Sequence, residues 1–193
     1  MPRAGLNKAT VVEAAGALAD ERGLEDLSLT DLAERLGVRK PSLYNHVAGL
    51  PDLRRELTLV GLRELGRSLS RAAVGRAGDE GLLAIAEAYR AFVKRRPGLY
   101  EATVRSYRHS DPDDPELGVA EGEAMEPVLA VLASCGVCRE EESVHAARGL
   151  RSIAHGFATL EQGGGFGMDV DPDESFRKLA RSFADGLIHK AGL

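Results

Sequence analysis

The chain has no tryptophan, two cysteines and only four tyrosines and five phenylalanines in 193 residues. Two cysteines cannot staple a small secreted fold, so reduced thiols are expected. No apolar run approaches the roughly 20 residues of a membrane span. The opening Met1 to Lys8 also lacks the apolar stretch of a signal peptide, which makes the cytoplasm the expected compartment. The 22 glycines and 8 prolines are scattered without a period, which excludes collagen-like and low-complexity chains. Runs of alternating apolar and polar residues rich in β-branched side chains, the signature of strands, are nearly missing as well. What remains is 44% apolar and 28% charged residues, enough to bury the core of one or two globular domains.

A net charge of −5 first argues against a polyanionic partner. The average hides an asymmetry, because residues 1–67 hold 10 basic and 10 acidic groups while residues 68–193 hold 15 and 20. Within the first part, Arg35, Arg39, Lys40, Arg54, Arg55, Arg63 and Arg67 face only Asp52, Glu56 and Glu64, a local excess of +4. A basic segment joined to an acidic remainder can bind a polyanion on one face and stay soluble on the other.

Apolar spacings of three and four recur throughout, so the fold class is all-α. Val11, Ala15, Leu18 and Ala19 share one face of a first helix, which Gly23 is placed to end. Ser28 opens a second, with its side chain expected to accept from the amide of Asp31. Leu29, Leu32, Ala33 and Leu36 form its stripe, and Gly37 stops it. Pro41 suits the first turn of a third short helix, expected to end near Val47 to Gly49. A fourth begins at Pro51 with Leu53, Leu57, Val60, Leu65 and Leu69 on one face, and longer helices are expected at about 79–95, 97–107, 116–135, 140–162 and 173–190. One helical domain over residues 1–50 and a second over 51–193 follow, linked by the helix at about 51–73.

The two short helices joined at Gly37 make a helix-turn-helix, in which a second helix stands out from a small core to enter the major groove. Leu32, Ala33, Leu36, Val38, Leu43 and Val47 would pack inward, leaving Arg39, Lys40, Ser42, Asn45 and His46 outside. Leu32-Ala33-Glu34-Arg35-Leu36-Gly37-Val38 followed by Leu43-Tyr44-Asn45-His46-Val47 resembles the DNA-binding domain of the TetR family of transcriptional regulators over roughly residues 8–60. The resemblance implies that Ser28, Tyr44 and His46 hold phosphates and that Thr30, Arg39, Lys40, Ser42 and Asn45 lie nearest base edges. It also departs from the family: Leu50 stands where members often carry a backbone-binding Lys, with Arg54 or Arg55 as the replacement, and Arg39 stands where a Ser or Thr cap is common.

The same resemblance implies that the remainder binds a small-molecule effector and forms a homodimer through helices at about 140–162 and 173–190. Phe176, Leu179, Ala180, Phe183 and Leu187 form one stripe of the last helix. The preceding helix has two, Val144, Ala147, Leu150, Ala154 and Phe157 beside Ile153, Gly156 and Leu160, and a helix apolar on two sides needs two partners. The run Ala154-His155-Gly156-Phe157 resembles the WHG type of TetR carboxy-terminal domain, without its Trp. Candidate effector contacts are Tyr89, Phe92, Tyr100, Tyr107, His155 and Phe157, although aromatics at helical spacing are more often ordinary core and a histidine beside a packing glycine is more often a satisfied interior one.

Cys135 and Cys138 have the spacing of a zinc or thiol half-site, but no second pair exists, and Gly136 suits a helix cap. Asp169 to Asp173 imitates a calcium loop yet has Glu174 and Ala180 where Gly and Glu are needed. Gly163 to Gly167 follows a helix rather than a strand and reads as a turn. No metal, cofactor or enzymatic centre is therefore expected. The function these features point to is a ligand-responsive transcriptional repressor that binds double-stranded, pseudo-palindromic operator DNA as a homodimer. An all-helical small-molecule binder or thiol redox sensor without DNA affinity is the alternative.

Overall fold

A computed structural model describes residues 6–104, 114–137 and 139–191, the last four for their backbone alone. Every regular element among the described residues is an α-helix: α1 Lys8–Arg22, α2 Leu29–Leu36, α3 Lys40–Leu43, α4 Leu50–Ala73, α5 Gly78–Arg95, α6 Pro97–Val104, α7 Pro115–Ser134, α8 Glu140–Gln162 and α9 Pro172–Ala191. No helix is long and apolar enough to cross a membrane among the described residues.

The helices form two compact units, Met1–Leu62 with Arg96–Ala120, and Arg63–Arg95 with Glu121–Leu193. The expected boundary at residue 50 is thus not where the compact units divide. The amino-terminal unit recruits α6 and the start of α7 from the distant part of the chain, for reasons visible in its packing. Its core holds Val11, Ala15, Leu18, Leu32, Leu43, Val47, Leu53 and Leu57, and is closed by Leu99 and Ala102 of α6.

Two close contacts seat α6. A Cβ on Gly98 would lie 2.2 Å from the carbonyl carbon of Ala19, so only glycine lets α6 meet the α1 backbone there. On its other side, a Cβ on Gly61 of α4 would lie 2.7 Å from the carbonyl oxygen of Leu99. The Asp20 carboxylate of α1 accepts from the amides of Gly98 (2.9 Å) and Leu99 (3.2 Å) and from Arg96 Nε (2.6 Å). It thereby satisfies amides that the start of α6 leaves open, with a charge suited to a helix amino terminus. Buried Thr58 donates its hydroxyl to the Arg54 and Ala102 carbonyls, both at 3.1 Å, which ties α4 to α6.

The start of α7 is held by charge. Asp114 accepts from the amides of Glu116 and Leu117 and from the fork of Arg55, whose second ion pair goes to Glu116. The Arg55 hydrogen bonds are the main reason the Asp114 carboxyl is pushed down to about 2. Asp114→Asn is expected to free the start of α7 from α4, read as faster amide exchange at Glu116 and Leu117; unchanged exchange would show that the pair does not hold α7.

In the second unit, Leu65, Leu69, Leu82, Ile85, Phe92, Val131, Leu150 and Phe176 are all at most 5% exposed. The buried row of α9 is Phe176, Ala180 and Ala184, which keeps Phe176 and Ala180 of the expected stripe, while Leu179 is 41% exposed. Those three small or flat residues repeat every four positions, and α9 turns that row inward. A second row, Leu179, Phe183 and Leu187, is left partly open. α8 behaves alike: Ala147, Leu150, Ala154 and Ala158 are buried, whereas Val144 and Leu160 are 40% and 54% exposed.

Candidate nucleic-acid interface

The helix-turn-helix grows from local rules. Ser28 caps α2 by accepting from the Asp31 amide, and its hydroxyl donates to the Asp31 carboxylate. Gly37 ends α2 in the left-handed region at φ 65° and ψ 33°, a geometry that a side chain would strain. Its amide and that of Val38 donate to the last α2 carbonyls, with Val38 N–H reaching Ala33 O at 3.0 Å. That bond pins the turn, and Arg39 continues in extended backbone. Pro41 then opens α3, which is a single turn ending at Leu43 rather than reaching Val47. Asn45 and His46, weak helix formers, fall in the turn that follows, although Val47 N–H still bonds Leu43 O at 3.0 Å. Leu43 and Val47 are buried, and Leu36 and Val38 pack against them.

The outward side chains divide sharply into committed and free. Thr30, Arg39, Lys40, Tyr44 and Asn45 are exposed and Ser42 and His46 half-buried, and none of these seven side chains has a hydrogen bond or ion pair within the described protein. Tyr44, at 53%, is an unusually open aromatic. Its exposure would waste apolar surface in a free-standing core and suits a partner face. Ser28 differs, because its hydroxyl already serves the α2 cap, so a phosphate contact there must exchange the Asp31 bond.

The basic excess of Arg35 to Arg67 is smaller in space than in sequence. Arg35 is forked onto Glu21 at 2.7 Å on both arms, and Arg55 is held by Asp114, Glu116 and Glu56. Arg54 donates to the Leu24 and Glu25 carbonyls at 3.3 and 3.5 Å. Neither Arg54 nor Arg55 is therefore free to replace the missing lysine at Leu50. Long-range partners such as Asp114 carry no local sequence signal, which is why counting charges missed this.

The candidate effector residues do not form one set. Tyr89 and Phe92 are buried in α5 and Phe157 is half-buried in α8, while Tyr100 belongs to the amino-terminal unit and Tyr107 lies outside the described residues. His155 is half-buried and engaged within the protein. Phe157 instead joins an aromatic cluster, with ring centroids 4.6 Å from Phe166 and 5.1 Å from Phe176. Sequence reasoning missed the residue that organises it: Arg90 lies over the Phe157 and Phe176 rings at 5.1 and 5.0 Å. A charged residue on a helix gives no sign in sequence that it will be buried.

The thiol reading loses ground on geometry. Cys135 is 7% exposed and burial, followed by the Asp79 charge, pushes its thiol up, the reverse of a reactive sensor. Gly136 at φ 84° follows α7 in the cap position read from sequence. Cys138 lies outside the described residues. Cys135 in the folded protein is expected to resist alkylation by iodoacetamide that labels it fully in urea, as peptide mass mapping would read; rapid native labelling would restore a sensor.

An amino-terminal helix-turn-helix with a free polar face, in a chain whose helices form two compact units, is the arrangement of the helix-turn-helix class of DNA-binding proteins. Comparison with known proteins narrows it. Residues 11–47 match "Bacterial regulatory proteins, tetR family" and residues 82–183 match "Tetracyclin repressor-like, C-terminal domain". The uncharacterized HTH-type transcriptional regulator YobS of Bacillus subtilis is 35% identical over 97% of this chain and 95% of its own length. The uncharacterized HTH-type transcriptional regulator Rv0681 of Mycobacterium tuberculosis is 38% identical over 95% and 83%. A solved protein of unknown function from Rhodococcus sp. RHA1 shares the fold, with a TM-score of 0.80 at 22% identity, covering 97% of this chain and 98% of that one. The chain belongs to the TetR family and is a ligand-responsive, DNA-binding transcriptional regulator of the repressor type.

Proposed function

We propose that this regulator reads a pseudo-palindromic operator as a homodimer in the cytoplasm, and is released when a small-molecule effector binds its carboxy-terminal unit. The observation that carries the reading is the set of unpartnered polar side chains on α3 and its flanks, Arg39 among them, beside Arg35, Arg54 and Arg55, which are engaged within the protein. In this assignment Arg39, Lys40, Ser42, Asn45 and Thr30 meet base edges, Tyr44 and His46 hold phosphates, and Ser28 adds a phosphate contact when Asp31 yields it. Phosphate contacts fix register and base contacts fix sequence.

The half-open apolar rows of α8 and α9 support the dimer. Leu160 and Leu179, with Phe183 and Leu187, offer the second face that a four-helix interface with a two-fold mate would cover. Effector coupling then requires that the effector prefer the dimer state whose α3 helices do not match successive major grooves.

The residue roles separate on DNA. Arg39→Ala is expected to weaken operator binding by about 1–3 kcal/mol and relax base preference at one position per half-site, measured by binding to operator variants. Tyr44→Phe is expected to weaken all sequences alike and leave the preferred motif unchanged. An Arg39→Ala protein with unaltered affinity and preference would overturn the assignment.

A further inference from the structure

Arg90 is the only charged residue in the buried class among the described residues, at 8% exposure. One edge of its guanidinium is forked onto Glu161, with Nε and Nη2 on the carboxylate at 2.9 and 2.8 Å. Lys94 completes that cluster on Glu161 at 2.6 Å. Burial works to raise the Glu161 pKa, but the hydrogen bonds from Lys94 and Arg90 outweigh it and hold the carboxyl below its ordinary range. The other edge of Arg90 is different. Nη1 meets only Asp173 Oδ1, at 2.7 Å, and the Asp173 side chain is 67% exposed where Glu161 is 17% exposed. Arg90 has one fixed counter-ion and one held at the solvent edge.

That edge opens on a groove of about 580 Å³ between α5 and the first turns of α9, lined by Ala91, Lys94 and Arg95 on one side and Asp173, Phe176 and Arg177 on the other. Arg95 has no carboxylate partner in the described protein and lies over the Phe92 ring at 5.8 Å. Glu87 is the one further carboxylate on the wall. Apart from Asp173, then, the groove offers Arg95 together with Arg90 and Lys94, which share Glu161, and Arg177, 4.0 Å from Asp171, against Glu87, with a short apolar strip at Ala91 and Phe176. The Asp173 carboxylate already displays the chemistry that Arg90 accepts. A planar carboxylate fits the guanidinium edge.

We propose that this groove binds a small organic monocarboxylate, whose carboxylate replaces that of Asp173 on Arg90 beside Arg95 while its apolar remainder lies along Ala91 and Phe176. The exchange releases the first turn of α9 from α5, and, resting on the regulator reading above, makes the monocarboxylate an effector. No bond is formed or broken in the step; one ion pair replaces another.

The test is calorimetric titration of the full chain with hexanoate, and with hexanol as the uncharged control. Hexanoate is expected to bind where hexanol does not. Asp173→Asn, which removes the internal competitor at an exposed position, is expected to tighten hexanoate about two- to fivefold, and Arg95→Gln to loosen it by a similar factor. A merely structural Asp173 would give no such gain. Equal binding of the acid and the alcohol, no hexanoate binding even by Asp173→Asn, or an affinity indifferent to that change would overturn the site. A second arm measures operator affinity with and without hexanoate. Weaker operator binding in the wild type and a smaller effect in Arg95→Gln support the effector role, and bound hexanoate with unchanged operator affinity overturns it. A protein that binds hexanoate but no DNA under any condition would instead count against the DNA-binding reading, leaving the groove assignment to the calorimetry.

Discussion

Gly98→Ala is expected to lower stability by about 3 kcal/mol, the upper end of the overpacking range, and to lower the melting temperature by about 6–12 °C. The added methyl would sit 2.2 Å from the Ala19 carbonyl carbon, 2.4 Å from its oxygen and 2.5 Å from the Asp20 nitrogen. All three are backbone atoms of α1, so relief cannot come from a rotamer change. Either α1 bends or α6 lifts, and lifting separates Asp20 from the Gly98 and Leu99 amides it caps. The loss should fall on the unit that carries α3, because Leu99 and Ala102 of α6 are part of that core. Operator affinity measured below the new melting point is expected to drop with it. A Gly98→Ala protein that melts like the wild type would mean that α6 is not seated on α1 as described.

Arg90→Ala is expected to cost about 3 kcal/mol, close to what removing one partner of a buried pair costs. It takes the guanidinium off the Phe157 and Phe176 rings, leaves Asp173 without its cation and leaves Glu161 to Lys94 alone. The cost has two origins, lost packing against two rings and unbalanced charge. Arg90→Lys separates them. Lysine keeps the charge but has neither the planar face for the rings nor the fork for Glu161, so it should recover less than half of the loss. Thermal melts of the two variants decide this, and an Arg90→Lys protein as stable as the wild type would show that charge alone matters there.

The amino-terminal helices were legible in the sequence because their punctuation is local. Asn7 and Ser28 cap α1 and α2, Gly23 and Gly37 end them, and Leu32, Ala33, Leu43 and Val47 are buried as their spacing predicts. The bounds of α5, α8 and α9 also fall within a residue or so of those expected. What the sequence concealed depends on residues distant along the chain. The membership of α6 in the DNA-reading unit rests on Asp20 meeting Gly98, and the neutralisation of Arg55 on Asp114. The single stripe read for α9 merges two apolar rows, Phe176–Ala180–Ala184 and Leu179–Phe183–Leu187, of which only the first is buried. Small residues face inward where helices approach closely; Gly149 of α8, where a Cβ would lie 2.8 Å from the Phe183 ring, is one such place.

The interface was legible in outline only. Seven of the eight side chains read as DNA contacts stand free on α2, α3 and the turns before and after α3, and the eighth, Ser28, is occupied by its own cap. Their chemistry suits phosphate and base edges, and their freedom distinguishes them from Arg35, Arg54 and Arg55, which sequence ranked beside them. Phosphate contacts also set the salt response: each contact adds close to one unit to the slope of log affinity against log salt. The phosphate contacts assigned to Ser28, Tyr44 and His46 include no Lys or Arg, so a modest slope is expected for each protomer.

Selection of randomised duplex DNA on the purified full chain, followed by binding of the selected sequence across a salt series, decides whether the protein reads DNA as a two-fold dimer. A two-fold symmetric motif with half-sites about one helical turn apart is expected, with an affinity that falls with salt by about one log unit per log unit for each phosphate neutralised. No enriched motif, in the absence of added ligand and under both reducing and oxidising conditions, would contradict that reading.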